Sequence, residues 1–395
     1  MKNLFALFFF FSLFFGAQAQ QEACSLQISL LTCNPGEELY STFGHSALRV
    51  KDSSAGTDVI FNYGTFQFGD DFYAKFVRGK LLYMVSIEDF AAFKEDYQYE
   101  SRSIHEQMLQ LTCAEKQQLY AALQTNAREE NRYYRYDFLF DNCSTRLRDI
   151  VAANTKGGVK FGNILPNKLP TFRNLLYTYL DNGGQHWSKL GIDLLLGSRL
   201  DKKVTNAQAM FLPDYLMKGF DSAQTNTRRL VTASQTILTM PSPIKGSSFF
   251  QPMVVFSLLL VLLILLSFIP KKSVQRAVGI FDFSLFFILG LVGCLLIFMW
   301  TSTDHALCKD NYNLLWALPT HAIAAPFLWK RGRFMQYYLL VTIIIQAFLL
   351  VGWIFLPQQF NLAFLPLVLL ILLRSWLLIL KPHTHDNTET NQLSG

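Results

Sequence analysis

The stretch Tyr136-Asp137-Phe138-Leu139-Phe140-Asp141-Asn142-Cys143-Ser144-Thr145-Arg146-Leu147-Arg148 is an aromatic run that breaks at Asn142 and becomes a helical pattern, with a cysteine at the turning point. Asn142 suits an N-cap, because its side chain can accept a first-turn N–H. The helix is expected over Ser144–Ala153. A thiol at such a position feels the positive end of the helix dipole and the unpaired backbone N–H groups, and both stabilise its thiolate. An ordinary cysteine, with a pKa of about 8.5, is only a few per cent thiolate at neutral pH, so this placement raises the reactive fraction. The same N–H groups suit the oxyanion of an acyl intermediate.

A second stretch, Phe43-Gly44-His45-Ser46-Ala47-Leu48-Arg49-Val50, sets a histidine directly after a glycine at the start of a strand. His45 is the candidate general base for Cys143. The bland readings compete with this: a cysteine in an exported domain is more often disulfide-bonded, and a strand histidine is more often structural. Cysteine arithmetic bears on the choice. Of the 6 cysteines, Cys294 falls in an apolar run, which leaves Cys24, Cys33, Cys113, Cys143 and Cys308. That number is odd, so at least one of them has no partner within the chain, and Cys143 is best placed to be it. Pairings among the others are not readable from the sequence.

Outward from these stretches the first half reads as strands, at Leu26–Leu31, Ala47–Val50 and Val59–Tyr63, with turns at Asn34-Pro35-Gly36 and Asp52–Gly56. Helical patterns follow over Ser86–Tyr97 and over Cys113–Glu130, the latter with Thr112 as cap and Glu115 in the capping-box position. The domain is α+β. A polar group on a neighbouring strand often orients a catalytic histidine. Asn62 is the candidate for that role, with Tyr63 second.

Composition sets the rest of the architecture. The chain is 51% hydrophobic and 16% charged, against about 25% charged for a soluble globular protein. The apolar excess is unevenly spread. Residues 20–248 carry 25 Lys+Arg and 24 Asp+Glu, a net of +1. That near neutrality removes nucleic acid as a partner. Before it stands a cationic start, an apolar core from Leu4 to Phe15 and Ala17-Gln18-Ala19, the pattern of a signal peptide over 1–19. The catalytic domain is then expected over 20–224 and a Thr/Ser-rich linker over 225–248. Five apolar segments (249–269, 278–300, 313–329, 335–356 and 361–380) read as transmembrane helices within 249–381. The loops bearing Lys271, Lys272 and Arg276, and then Lys330, Arg331 and Arg333, fall on the cytoplasmic side by the positive-inside rule. That topology leaves 20–248 outside the cytoplasm and the tail 382–395 inside, in agreement with a signal peptide.

Four segments carry a resemblance: Leu30-Leu31-Thr32-Cys33-Asn34-Pro35-Gly36, Gly44–Val50, Phe61-Asn62-Tyr63-Gly64-Thr65-Phe66 and Asp141–Arg146. Over about residues 26–200 the chain is similar to the Lnb N-terminal periplasmic domain family of Bacteroidota, which includes lipoprotein N-acyltransferases. More broadly it resembles the circularly permuted papain-like (NlpC/P60-like) thiol enzymes. Asn311-Tyr312-Asn313-Leu314-Leu315-Trp316 and Pro319, at the head of the third apolar segment, look like the membrane half of the same architecture. The resemblance implies a permuted papain-like domain followed by five transmembrane helices, in the bacterial inner membrane, with no cofactor and no metal. It implies acyl transfer through a Cys143 thioester, from a phospholipid donor to the α-amine of a diacylated lipoprotein.

Arg78, Asn142, Arg146, His305, Asn311 and His321 are the candidate substrate-binding residues, each weighed against a plain structural role. Arg148 and the intramembrane Arg374 stand below them. Asp304-His305 with Cys308 has a spacing compatible with zinc, a weak signal from a single loop. Gly44-His45-Ser46-Ala47-Leu48 misses the G-x-S-x-G elbow, and His105-Glu106 lacks the second histidine of a zincin. The rival readings are a cell-wall thiol amidase or endopeptidase, a phospholipid acyl hydrolase, and a lipid-binding membrane sensor without turnover.

Overall fold

The computed structural model describes residues 24–241, 249–329 and 332–380. The expected signal peptide, the cytoplasmic tail and the end of the expected linker lie outside them. In chain order the N-terminal domain contains β1 (Leu26–Cys33), β2 (His45–Asp52), β3 (Thr57–Thr65), α1 (Phe72–Val77), β4 (Leu82–Asp89), α2 (Phe90–Tyr99), β5 (Ile104–Leu109), α3 (Cys113–Asn126), β6 (Tyr133–Arg135) and α4 (Cys143–Ala153). Helices α5 (Phe172–Asn182), α6 (His186–Leu195), α7 (Asn206–Ala209) and α8 (Pro213–Ser222) then precede β7 (Val231–Leu238). The C-terminal domain contains α9 (Pro252–Ser267), α10 (Lys272–Thr301), α11 (Thr320–Ala324), α12 (Arg333–Gly352) and α13 (Phe364–Leu380).

The strands form one antiparallel seven-stranded sheet in the order β6-β4-β3-β2-β1-β5-β7. Helices cover both faces of its centre, which is why β1 is buried nearly throughout and exposes only Gln27, with the polar Ser29 and Thr32 enclosed. Ile28 and Leu30 pack with Leu119 of α3, Leu147 and Val151 of α4 and Phe220 of α8. Leu31, Cys33, Ala47 and Ile60 turn the other way, onto Phe93 and Tyr97 of α2. This is the two-residue alternation of a pleated strand. The expected capping box is present, with Thr112 and Glu115 bonded reciprocally at the start of α3. A disulfide joins Cys24 to Cys113, and Cys33, Cys143 and Cys308 are free and buried.

Three expectations need correction. The helix read over Ser86–Tyr97 begins only at Phe90, because Ser86–Asp89 complete β4 and pair with β3. Within the expected linker, Val231–Leu238 are β7 and pair with β5. Its Thr/Ser-rich composition suits a half-exposed edge strand as well as a linker, so composition misassigned it. The third correction concerns the segment 313–329, which is not one helix. It consists of a 3-10 turn at Tyr312–Leu315, the five-residue α11 and another 3-10 turn at Ala325–Phe327. Pro319 and Pro326 remove the donors that a continuous helix needs there.

That irregular segment lies against α10, where a methyl group on Gly290 or Gly293 would overlap the backbone at Ala322 or Ala317. Non-helical backbone at membrane depth is tolerated when protein encloses it, and Gln346 of α12 donates to the Leu315 carbonyl at 3.1 Å. Helices α10 and α12 are long and apolar enough to cross a bilayer, while α9 and α13 are shorter. Arg374 of α13 forms a bidentate pair with Asp282 of α10, at 2.6 and 2.8 Å, and reaches Ser267 of α9. Arg374 therefore has partners within the helix bundle.

The two domains meet through buried polar groups. Arg173 of α5 and Asp193 of α6 are both fully buried and pair at 2.6 Å, and Asp201 adds a second carboxylate at 2.8 Å. From the C-terminal domain, Asn361 donates to the Asp193 carboxylate at 2.8 Å and Asn313 to its backbone carbonyl at 2.7 Å.

Candidate active site

Helix α4 starts where it does because Asn142 caps it. Asn142 Oδ1 accepts from Thr145 N at 2.9 Å, and Thr145 Oγ1 accepts in return from Asn142 N at 2.9 Å. The Asn142 amide also donates to the carbonyls of Phe138 and Phe211, at 2.9 and 2.8 Å. All of its capacity serves the fold, so Asn142 is a structural cap and not a free substrate ligand. The cap fixes Cys143 as the first residue of the helix.

Opposite this helix start the sheet opens. Strands β2 and β3 pair only from Leu48↔Phe61 outward, and the β3–β4 register shifts at Gly64. Gly64 has φ +90°, a value glycine adopts freely, and a Cβ placed there would stand 3.7 Å from Cys143 Cβ. Gly44 is needed more strictly: its φ is +80°, and a Cβ would come within 2.7 Å of the Cys33 carbonyl oxygen. That turn delivers His45 to the first position of β2.

His45 Nε2 lies 2.6 Å from Asn62 Oδ1, and the Asn62 amide nitrogen donates to Glu88 Oε1 at 3.0 Å. A carboxylate only accepts, so Glu88 turns the Asn62 NH2 toward itself and leaves Oδ1 facing the imidazole. An amide oxygen only accepts as well, so Nε2 carries the proton. Nδ1 remains for Cys143.

The electrostatics follow from this contact. Burial alone would raise the Cys143 thiol, but the charge and hydrogen bond of His45, the Ser46 N–H and the Ser144 hydroxyl together hold it below the ordinary thiol value. Burial alone would lower His45, but the charge of Cys143 and hydrogen bonds to Cys143 and Asn62 hold it above the ordinary imidazole value. Both shifts favour a thiolate–imidazolium pair. Cys33 shows the contrast: burial pushes its thiol up to about 12.

The structure thus brings Cys143, His45 and Asn62 together. Tyr63 does not orient His45: it points to the face of β3 opposite Asn62, into the core that also holds Cys143, and its hydroxyl accepts from Asn126 at 2.9 Å. Arg146 is occupied by Asp141, at 2.6 and 2.8 Å, and lies over the Tyr134 ring. Asn311 is buried and donates to the Leu194 and Leu195 carbonyls, so it belongs to the contact between the domains. His321 is enclosed beside Phe286, with Nδ1 2.6 Å from the Tyr338 hydroxyl. His305 Nε2 donates to the Phe76 carbonyl at 2.9 Å, and it too serves as a joint. Arg78 is exposed, and its guanidinium has no hydrogen-bond or ion-pair partner among the described residues.

Sequence reading passed over Glu88, whose place depends on strand register, and the Ser46 N–H, which no side-chain pattern marks. It also passed over the aromatic residues from Phe66 to Phe76, although Phe72 and Phe76 stand at helical spacing. A cleft of about 320 Å³ beside the Asn34–Thr42 loop is lined by Tyr179, Asp214 and Lys218, but by neither His45 nor Cys143.

No curated protein and no solved structure matches the chain. Residues 16–178 match the Lnb N-terminal periplasmic domain, and residues 244–385 match the Lnb transmembrane domain. With both halves of that architecture present in order, the chain belongs to the Lnb family and is a membrane protein with a periplasmic domain.

Proposed function

We propose that this protein is an inner-membrane lipoprotein N-acyltransferase built on a permuted papain-like domain. The observation that carries the reading is the buried Cys143 thiol beside the half-buried His45 at the start of α4, with Asn62 and Glu88 holding the imidazole. The Cys143 thiolate attacks the ester carbonyl of a phospholipid. The tetrahedral oxyanion meets the first-turn N–H groups of α4. Its collapse expels the lysolipid alkoxide, which takes the proton from the His45 imidazolium and leaves an acyl thioester on Cys143. The α-amine of a diacylglyceryl-cysteine then attacks the thioester. His45 takes the amine proton, the C–N bond forms, the C–S bond breaks, and amide and thiolate result.

The tie to the membrane favours this reading over a cell-wall thiol amidase. A wall hydrolase has no need of a catalytic domain fastened through Arg173, Asp193, Asn313 and Asn361 to apolar helices, whereas an enzyme joining two lipids does. The test is mass spectrometry of lipoprotein N-terminal peptides from cells whose only copy carries Cys143→Ser or His45→Ala. Both variants are expected to leave the α-amine free. N-acylated peptides in either would overturn the assignment, and peptide release from peptidoglycan by the wild-type protein would favour the amidase.

A further inference from the structure

The segment between β3 and β4 is unusual for an aqueous surface. Phe68 and Tyr73 are 75% and 76% exposed, and Phe76 and Val77 are exposed beside them. Their rings do not stand singly. Phe66 meets Phe68 at 5.4 Å, Phe72 at 5.6 Å and Tyr83 at 5.4 Å, and Phe72 stacks on Phe76 at 6.1 Å. At one end Tyr83 stacks at 4.3 Å on Tyr136, and Tyr136 and Cys143 flank Gly64 together. At the other end Phe76 meets His305 edge-on at 6.4 Å. His305 belongs to the loop that follows α10, and Asp304 N donates to the Arg78 carbonyl at 2.9 Å. A continuous aromatic path therefore runs from the nucleophile to the periplasmic end of a membrane helix.

We propose that this arm is the docking track for the acyl-donor phospholipid, which lifts one acyl chain from the bilayer surface to Cys143. The inference rests on the acyl-transfer reading and assigns its first substrate a place. Exposed aromatic surface this extensive marks an interaction site, and aromatic rings favour the membrane–water boundary. Charge selects the occupant. Arg78 and Lys80 at the membrane end have no anionic partner among the described residues, Lys75 is held by Asp71 at 2.7 Å, and Asp304 beside Gly79 pairs with Arg135 at 3.6 Å. Two free cations complement a phosphodiester. The acceptor, diacylglyceryl-cysteine, brings an ammonium and no phosphate, so the donor fits this end better.

The test uses the full chain in nanodiscs of phosphatidylethanolamine and phosphatidylglycerol. The triple variant Phe68→Ser, Tyr73→Ser, Phe76→Ser changes exposed rings only. Acyl-enzyme formation on Cys143 is read by mass spectrometry from two donors: the nanodisc phospholipid and water-soluble p-nitrophenyl butyrate, which needs no track. The variant is expected to lose tenfold or more of its rate from phospholipid and to keep the butyrate rate within twofold. Arg78→Ala is expected to slow the phospholipid reaction severalfold without affecting butyrate. Equal phospholipid rates in wild type and triple variant would overturn the track. A phospholipid with a diazirine on its acyl chain gives a readout without turnover. Crosslinks within residues 66–83 are expected, and crosslinks confined to α9–α13 would overturn the proposal. Crosslinks on the arm of a wild-type protein that never forms an acyl-enzyme would keep the track and sink the acyl-transfer reading instead.

Discussion

Glu88 contacts neither Cys143 nor His45, yet it decides which end of the Asn62 amide meets the imidazole. Replacing it by glutamine removes that choice, because a neutral amide both donates and accepts. Losing one oriented hydrogen bond of about 1–3 kcal/mol corresponds to a fall of roughly tenfold to a hundredfold in rate. Steady-state N-acylation by Glu88→Gln is expected to fall by that order with little change in thermal stability. The thiol itself gives a pH prediction. Cys143 is lowered and His45 raised, so the thiolate persists as pH falls below the ordinary thiol value, down to the depressed Cys143 value. Iodoacetamide at pH 7 is expected to modify Cys143 and spare Cys33. His45→Ala, which removes the main group holding the buried thiol down, should slow that modification by about tenfold or more. Equal labelling of the two cysteines at pH 7, mapped by peptide mass spectrometry, would contradict the assignment. Cys143 was legible in the sequence because a helix start is a local pattern, and His45 because glycine precedes it at a strand start. Glu88 was not legible, because 26 residues separate it from its partner Asn62 and only the β3–β4 register brings them together.

At the scale of elements the sequence is most informative where one periodicity runs uninterrupted. The start of β1 and the capped start of α3 were readable from their own residues, whereas α3 stops at Asn126, four residues short of the expected Glu130. The boundary at Asp89 was hidden because Phe90, Phe93 and Tyr97 start a helical spacing directly after a strand, with no glycine or proline between them. The broken third membrane segment was obscured because its apolar content satisfies a hydropathy window, while its backbone path depends on α10. Gly290 tests that dependence. A leucine there would overlap the Ala322 backbone, whereas Gly352 has open space around it. Gly290→Leu is expected to lower the melting temperature of the full chain in nanodiscs by several degrees, and Gly352→Leu to leave it unchanged. Loss of the Asn142 cap belongs to this scale too. Asn142→Ala abandons Thr145 N and the carbonyls of Phe138 and Phe211, the latter buried, at a cost of about 2–3 kcal/mol. A lower denaturation midpoint together with lost acylation is expected.

For the whole molecule, composition and charge asymmetry were enough to separate a neutral outer domain from a charge-poor membrane half. They could not show that the halves are fastened. Asp193→Ala would leave Arg173 buried without its nearest counter-charge, a loss of about 3–5 kcal/mol. It is expected to expose the domain boundary to limited proteolysis. Asn361→Ala, which leaves that ion pair intact, should have the milder effect. The fastening has a mechanical consequence. On the acyl-transfer reading, a head held to its own helices by these contacts keeps its thiol at one elevation above the bilayer. Turnover should then depend on bilayer thickness, with an optimum acyl length in reconstituted membranes and losses on both sides of it. On the acyl-transfer reading, such an enzyme would gauge the depth of the membrane in which it works.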